Sequence, residues 1–191
     1  MLSQSVENYV KAIYKLQSGA DWVGLSALAK ALGQRPASAT NMAQKLAKAE
    51  EQLLDYQAYK GVRLTETGTR VALEVIRHHR LIELYLSQQL GMPWDQVHDE
   101  AEKLEHVISE DLEDRMAAAL ADPGVDPHGA PIPTRDGKIV ARPSIPLGDV
   151  EVGLTVEVVE VGDRDASLLR YLGELDLYPG NCFTVLSRER F

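Results

Sequence analysis

The stretch HDEAEKLEH at residues 98–106 and the stretch HHRLIE at residues 78–83 decide how this chain is interpreted. In helices, both stretches place imidazole and carboxylate groups one turn apart on a shared face. These groups belong to His79, Glu83, His98, Glu102, Glu105 and His106. Such groups at every helical turn have the spacing and chemistry that divalent cations need. Because closely packed carboxylates repel one another without a counter-charge, the two stretches predict a bound cation.

The composition limits the class of protein. The chain has 191 residues and a single cysteine, which excludes an intrachain disulfide. Together with the lack of a signal peptide, this predicts a cytoplasmic protein. No apolar run approaches the roughly 20 residues of a membrane span. Cys182 lies in the apolar-rich stretch CFTVL, and we expect it to be a small core residue.

The net charge of −9 is unevenly distributed along the chain. Residues 1–70 carry nine Lys/Arg against six Asp/Glu, whereas residues 71–120 carry four against eleven. A basic end on an otherwise acidic chain is typical of a protein with one nucleic-acid-facing end. The acidic middle coincides with the His/Glu stretches, where bound dications would offset part of the charge.

The first 70 residues have the pattern of a winged helix-turn-helix. Apolar residues at helical spacing predict a helix over 3–17, a short helix over 25–33 and another short helix that starts near Pro36. About three residues separate the two short helices, as in a helix-turn-helix. Alternating residues then predict two short strands within 53–64, which would form the hairpin called a wing.

The second short helix and the wing carry the candidate DNA contacts, although an ordinary solvated helix face would have a similar composition. Arg35 and Lys45 are suited to phosphates, and so is Lys60 at the wing tip. Asn41 is suited to a base edge, because its carboxamide can pair bidentately with adenine. The remaining outward-facing residues of the predicted set are Ser38 and Thr40.

The acidic middle is predicted to be helical. We expect a long helix from Thr65 to about Leu90, ended by Gly91, and a second helix over 93–107 that carries the cluster. A further helix is expected over about 109–121.

Residues 122–191 have a different sequence pattern. Residues 122–146 are rich in proline and glycine, which predicts a linker or long loop, and we expect His128 within it to be structural. From residue 147 the sequence alternates like strands around one short helix. This small β-rich module is short for a domain, so we expect the chain to stop partway through it.

The order of these motifs resembles the diphtheria toxin repressor family of metal-dependent transcriptional repressors. The stretches that carry the resemblance are HRLIE, VHDEAEKLEHVIS and PHGAPIP, which follow the winged helix-turn-helix. The stretch GELDLYPG resembles the family's SH3-like module, in a form related to the small iron-transport accessory domain. The resemblance covers essentially the whole chain.

The resemblance implies a mainly α fold with a small β part. It divides the chain into a winged helix-turn-helix DNA-binding domain (1–70), a helical metal-binding and dimerisation domain (71–121), a proline-rich linker (122–146) and an SH3-like module (147–191). It implies a homodimer that binds a double-stranded DNA operator when Mn(II) or Fe(II) is bound, and that represses metal-uptake genes. No enzymatic activity is implied.

The resemblance also implies two metal sites in each subunit. The primary, regulatory site would use Glu102, Glu105 and His106, with Asn8 from the first helix. The ancillary site would use His79, Glu83 and His98, with help from the module, where Asp163 and Asp165 are the nearest candidates.

The ligand set departs from both branches of the family. Iron-sensing relatives usually have a thiolate where Glu102 stands and a thioether at the position of Asn8, so this all-oxygen-and-nitrogen set favours Mn(II) or Fe(II) over soft metals. Manganese-sensing relatives tend to carry carboxylates at positions 8 and 11, where this chain has Asn8 and Lys11. A manganese-type binuclear site therefore lacks two of its expected ligands.

Two other functions are compatible with parts of the pattern. A helical di-metal carboxylate enzyme would need Glu-x-x-His pairs, but Lys103 and Asp95 stand three residues before His106 and His98. A winged-helix regulator that senses a small molecule would leave the His/Glu cluster as a structural feature. That alternative does not explain why both acidic helices carry histidine at ligand spacing.

Overall fold

The computed structural model describes residues 2–17, 21–140 and 142–189, and its architecture is mainly helical with two small sheets. The chain divides into two compact units, Met1–Ile76 and Arg77–Phe191. The helix α4 spans Glu66–Leu90, so it contributes residues to both units. Among the described residues, no helix combines the length and apolar character that crossing a membrane requires.

The amino-terminal unit is built from three helices and a hairpin before it reaches α4. The elements are α1 (Gln4–Gln17), α2 (Leu25–Ala31), α3 (Pro36–Ala47), β1 (Leu54–Gln57) and β2 (Gly61–Leu64). Pro36 occupies the first turn of α3, where its missing N–H would have no helical partner anyway. One apolar cluster holds these elements together, with Ile13 and Leu28 fully buried in it.

The wing is fixed to the rest of its unit. β1 and β2 pair antiparallel with Leu54 opposite Leu64, and Val23 adds a bridge to Val62 through hydrogen bonds of 2.8 and 2.9 Å. Gly61 lies at φ +114, and a Cβ there would collide with the carbonyl oxygen of Val23. Glycine is therefore required where the hairpin crosses residue 23, and the wing is supported at its base.

The carboxy-terminal unit contains the remaining elements. These are α5 (Val97–Leu104), α6 (Glu110–Ala119), a 3-10 turn (Leu147–Asp149), β3 (Thr155–Glu157), α7 (Ala166–Glu174) and β4 (Cys182–Thr184). β3 and β4 pair antiparallel, with Val156 opposite Phe183. Cys182 is exposed on β4, so the expectation of a core cysteine was wrong. It lies on the opposite face of the strand from the half-buried Phe183.

The helix predicted over 93–107, which carries four of the ligand candidates, is shorter in the structure. Residues 93–96 form a turn in which Gln96 N–H donates to the Pro93 carbonyl, and α5 begins only at Val97. Glu105 caps the end of α5, and His106 lies in the turn after it. The four ligand candidates at 98–106 therefore do not form one continuous helical face, because the chain turns before α6.

Part of the proline-rich segment is packed into the carboxy-terminal unit. Asp126 and His128 are buried, and Asp126 Oδ1 accepts hydrogen bonds from the N–H groups of His128 and Ala130 at 2.8 and 3.0 Å. Gly129 lies at φ +88, and a Cβ there would collide with the carbonyl oxygen of Val159. This loop is thus a structured connection to the β module and not a free linker.

Candidate metal centre

His79 lies at the middle of the buried polar groups of the carboxy-terminal unit. Its Nδ1 is 2.6 Å from Glu105 Oε2, and its Nε2 is 3.0 Å from Glu83 Oε1 and 3.1 Å from His98 Nδ1. His79 is 2% exposed and comes from α4, whereas its partners come from α4, α5 and the end of α5. Each ring nitrogen of His79 therefore faces a different group of ligand candidates.

The first group joins His79 to the end of α5. Ligand atoms of His79, Glu102 and Glu105 lie within 4.8 Å of one another. His106 Nε2 is 3.2 Å from the other Glu105 oxygen, and the His106 side chain is buried. Glu102 is the one partly exposed member of this group. The sequence placed His79 in the ancillary set alone, but its Nδ1 faces the residues assigned to the primary set.

The second group adds a residue from the β module. Ligand atoms of His79, Glu83, His98 and Asp163 also lie within 4.8 Å of one another. His98 Nδ1 is 3.0 Å from Glu83 Oε1 and 3.5 Å from Asp163 Oδ2. Asp165, the other candidate from the module, instead caps α7, since its Oδ1 accepts from Ser167 N–H and Leu168 N–H.

A third group lies on the other side of Glu83. Ligand atoms of Glu83, Asp126 and His128 lie within 4.8 Å of one another, and all three residues are buried. Glu83 Oε2, Asp126 Oδ2 and His128 Nδ1 have no hydrogen-bond partner among the described residues. His128 Nε2 is 2.8 Å from the Trp94 carbonyl, which can only accept a hydrogen bond. His128 Nε2 therefore carries a proton, and Nδ1 lies 3.8 Å from Glu83 Oε2.

This third group of ligand candidates was not singled out from the sequence. His128 was expected to be structural, and Asp126 was not singled out. The sequence did contain one signal for it. The residues Pro127, His128 and Gly129 favour a turn, and a turn there brings the His128 imidazole close to the Asp126 carboxylate. Its packing against α4 depends on contacts between distant residues, which helical spacing cannot show.

The pKa values of the third group are shifted because its ionisable side chains are buried close to one another. Burial alone would raise the pKa of the Glu83 carboxyl, but His128, His79 and His98 around it hold that pKa below its usual range. Burial lowers the pKa of His128, yet the neighbouring Glu83 carboxylate outweighs this and raises it to about 8. Burial and the negative charge of Glu83 raise the pKa of Asp126 to about 6.

The donor set fits a divalent cation of intermediate hardness. It consists only of carboxylate oxygens and imidazole nitrogens, the ligands suited to Mn(II), Fe(II) and Zn(II). Burying polar atoms without hydrogen bonds is costly, and a cation would satisfy Glu83 Oε2 and Asp126 Oδ2 together. Arg80 Nε lies 3.6 Å from Asp126 Oδ2 and balances part of this negative charge. Asn8, the remaining predicted ligand, lies on α1 in the amino-terminal unit, and its role stays a prediction.

The predicted DNA-contacting residues lie on α3 and the wing. Arg35, Ser38, Asn41 and Lys45 are exposed. Thr40 is half-buried, and its hydroxyl donates to the Pro36 carbonyl at 2.9 Å.

The wing cations share an aromatic support that the sequence did not reveal. Lys60 Nζ lies 4.6 Å from the centre of the Trp22 ring, and the Arg63 guanidinium lies 5.0 Å from it. Arg63 also pairs with Asp55 at 2.8 Å. Trp22 precedes Val23, which bridges to β2, so the same segment that supports the wing holds its two cations.

The chain matches three family models, which together cover most of it. Residues 1–62 match the N-terminal DNA-binding domain of iron-dependent repressors, and residues 65–134 match the metal-binding and dimerisation domain of the same proteins. Residues 145–191 match the FeoA domain.

Relatives of known name agree with these matches. The iron-dependent repressor IdeR of Mycobacterium tuberculosis (strain CDC 1551 / Oshkosh) is 30% identical over 198 residues, covering 96% of this chain and 84% of that protein. The regulator MntR of Oceanobacillus iheyensis is 35% identical over 116 residues, covering 61% of this chain and 77% of that protein.

Solved structures give the same picture. A manganese-dependent transcriptional repressor in complex with manganese matches with a TM-score of 0.87 and 38% identity, covering 96% of this chain and 84% of that one. ScaR with bound Zn2+ matches with a TM-score of 0.80 and 30% identity, covering 97% and 85%.

Proposed function

Because this chain belongs to the family of iron-dependent and diphtheria toxin repressors, which are metal-dependent DNA-binding proteins and not enzymes, we propose that Mn(II) or Fe(II) bound around His79 activates it. In this proposal the activated protein binds operator DNA and represses genes for metal uptake. The family membership argues against the di-metal enzyme and the small-molecule sensor.

The observation that carries the proposal is a set of buried ligand atoms around Glu83 that have no hydrogen bond among the described residues, while the other oxygen of Glu83 faces His79. Glu83, Asp126 and His128 each bury one such atom. Without a cation, the burial of these polar atoms would destabilise the folded protein. A bound divalent cation supplies the positive charge that lets the surrounding carboxylates remain ionised together.

We assign the ligands to two regions that meet at His79. The regulatory region comprises Glu102, Glu105 and His106, with His79 Nδ1 beside them and Asn8 as a further candidate. The ancillary region is centred on Glu83. It draws on His79 Nε2, His98 and Asp163 on one side, and on Asp126 and His128 on the other.

The coupling to DNA would run through α4. This helix carries His79 and Glu83, and its first residues follow the wing directly in the chain. The proposed role of the ligands is to favour the arrangement of the chain that binds DNA. A metal can do so only as far as it binds that arrangement more tightly than the alternatives.

We further propose that the protein acts as a homodimer. A single winged helix reads only a few base pairs, and a two-fold operator needs two of them about one helical turn apart. The carboxy-terminal unit exposes Leu90, Val107 and Leu112, whereas Leu84 and Leu86 are buried in its own core. A symmetric contact through the exposed set would hide that surface. Sedimentation with Mn(II) tests this, and a stable monomer would contradict it.

A DNA-binding titration tests the proposed function. Duplexes would first be selected from a random-sequence pool with Mn(II)-loaded protein. Binding to the selected duplex is then measured with Mn(II), with Fe(II) under anaerobic conditions, and with a chelator. We expect tight binding with one or both metals and a large loss with the chelator. Equal affinity in all three conditions would contradict metal activation.

A further inference from the structure

Two consecutive histidines, His78 and His79, contact the same residue in different ways. His79 Nδ1 is 2.6 Å from the carboxylate of Glu105, whereas His78 Nδ1 is 3.1 Å from the main-chain carbonyl of Glu105. Neighbouring side chains on a helix point about 100° apart, so one histidine can face the metal groups while the other faces the end of α5. Both rings are buried.

The second nitrogen of His78 is also engaged. Its Nε2 is 2.9 Å from Glu113 Oε2, and Glu113 on α6 is 2% exposed. The partners of the two ring nitrogens are a carbonyl oxygen and a carboxylate oxygen, so the ring donates through both. His78 therefore links the residue that ends α5 to the first half of α6.

Glu113 is held from its other side by Arg77. Arg77 Nε donates to Glu113 Oε1, and its Nη1 donates to the Pro133 carbonyl at 2.8 Å. This forms a chain of contacts from the loop at Pro133 through Arg77, Glu113 and His78 to the Glu105 carbonyl. It connects α4, α6 and the packed loop to one peptide group at the end of α5.

That peptide group needs such support because of where it lies. Glu105 is the cap of α5, and the three residues after Leu104 form a turn, so its carbonyl lies beyond the regular helix. Carbonyls at helix ends lack helical partners and require others when buried. Movement of this peptide would move the Glu105 carboxylate, which contacts both His79 and His106.

From this geometry we propose that His78 is a positioning residue of the regulatory metal site, which holds Glu105 in place through its carbonyl and is itself oriented by Glu113 and Arg77. The proposal rests on the proposed function, because it takes Glu105 as a metal ligand. It goes beyond that function by giving a role to a histidine outside the proposed ligand set. Groups that orient metal ligands typically contribute about 10- to 100-fold to metal affinity.

The test compares metal binding in the full chain with His78→Gln, Glu113→Gln and a stability control. Gln at 78 can replace only one of the two donated hydrogen bonds. The control is Leu81→Ala: Leu81 is fully buried in the same unit, in an apolar cluster with Leu84, Ala117, Leu120 and Ile132. Mn(II) affinity, the visible absorption of bound Co(II) and the thermal unfolding of the metal-free protein are measured for each.

We expect His78→Gln to lower Mn(II) affinity at the weakened site by about tenfold or more and to change the Co(II) spectrum. Glu113→Gln should produce a smaller loss in the same direction, because the ring keeps its bond to the Glu105 carbonyl. Leu81→Ala should lower the unfolding temperature while leaving affinity and spectrum at wild-type values.

The outcomes separate the inference from the function it rests on. Wild-type protein that binds neither Mn(II) nor Co(II) would overturn the proposed function. Wild-type binding together with unchanged affinity and spectrum in His78→Gln, or with an equal loss in Leu81→Ala, would overturn the positioning role. If His78→Gln does not fold, Glu113→Gln decides by the same readouts, and unchanged binding there would overturn the role.

Discussion

The two units of this chain build their interiors in different ways. The amino-terminal unit packs its helices and wing around one apolar cluster, in which Ile13, Leu28 and Val62 are completely or almost completely buried. In the carboxy-terminal unit, Leu81 and Leu84 belong to one apolar cluster and Ile82 and Leu86 to another, and these clusters share α4 with His79 and Glu83. Nearly all the buried charged residues recorded for the described chain lie in this second unit.

This difference indicates that the two units are suited to different functions. An apolar core gains its stability from burial alone and needs no ligand. A core that includes buried carboxylates and imidazoles is complete only when their charges are balanced. The first unit is therefore suited to present a fixed DNA-reading surface, and the second is suited to respond to the supply of cations.

The largest expected effect comes from damage to the apolar core. Leu28→Ala should destabilise the amino-terminal unit by roughly 2–5 kcal/mol, because it removes a fully buried side chain and leaves a cavity. DNA binding should fall with it, while Mn(II) binding by the carboxy-terminal unit persists. Calorimetry and metal titration of the full chain measure both effects. Loss of metal binding in proportion to the loss of stability would show that the units do not differ as described.

Addition of Mn(II) should stabilise the carboxy-terminal unit. Mn(II) at about 100 times its dissociation constant should stabilise the folded state by about 2.7 kcal/mol. In hydrogen exchange the added protection should concentrate in residues 77–106 and 126–133, where most of the ligand candidates lie. The segment 25–64 serves as the internal control and should change little in the absence of DNA. Uniform protection of the whole chain would argue against a localised metal-dependent core.

Substitutions can distinguish the two proposed metal-binding regions. His79→Ala should weaken both metal regions, because its two ring nitrogens face different groups, whereas Glu102→Ala should weaken only the regulatory one. We expect losses of the order of 100-fold in affinity at each affected site. Metal titration followed by mass spectrometry of the native protein gives the occupancy. Equal loss of stoichiometry in both variants would favour one shared site.

The smallest expected effect concerns the wing. Trp22→Ala should remove the aromatic support of Lys60 and Arg63 and weaken DNA binding severalfold, since exposed cation–π contacts contribute about 0.5–1 kcal/mol each. Trp22→Phe is the matched control and should retain part of the effect. Metal affinity without DNA should be the same in both variants. If Trp22→Ala bound DNA as tightly as wild type, the ring would be a packing residue only.

The sequence predicted the features that depend on local spacing. The winged helix-turn-helix and the pairing of His79 with Glu83 follow from residues within a few turns of each other, and the fold class is confirmed. The packed loop around Asp126 and the role of Trp22 depend on contacts between distant segments. Local patterns carry no information about such contacts.

If metal bound in the carboxy-terminal unit activates DNA binding by the amino-terminal unit, the two binding equilibria are linked, and thermodynamic linkage tests this most directly. The Mn(II) dissociation constant is measured with and without a saturating selected duplex, and the duplex dissociation constant with and without Mn(II). Because coupling is reciprocal, both ratios must be equal. We predict a common factor well above one, on the order of 5- to 150-fold. A ratio of one in both directions, with both ligands still bound, would contradict the account.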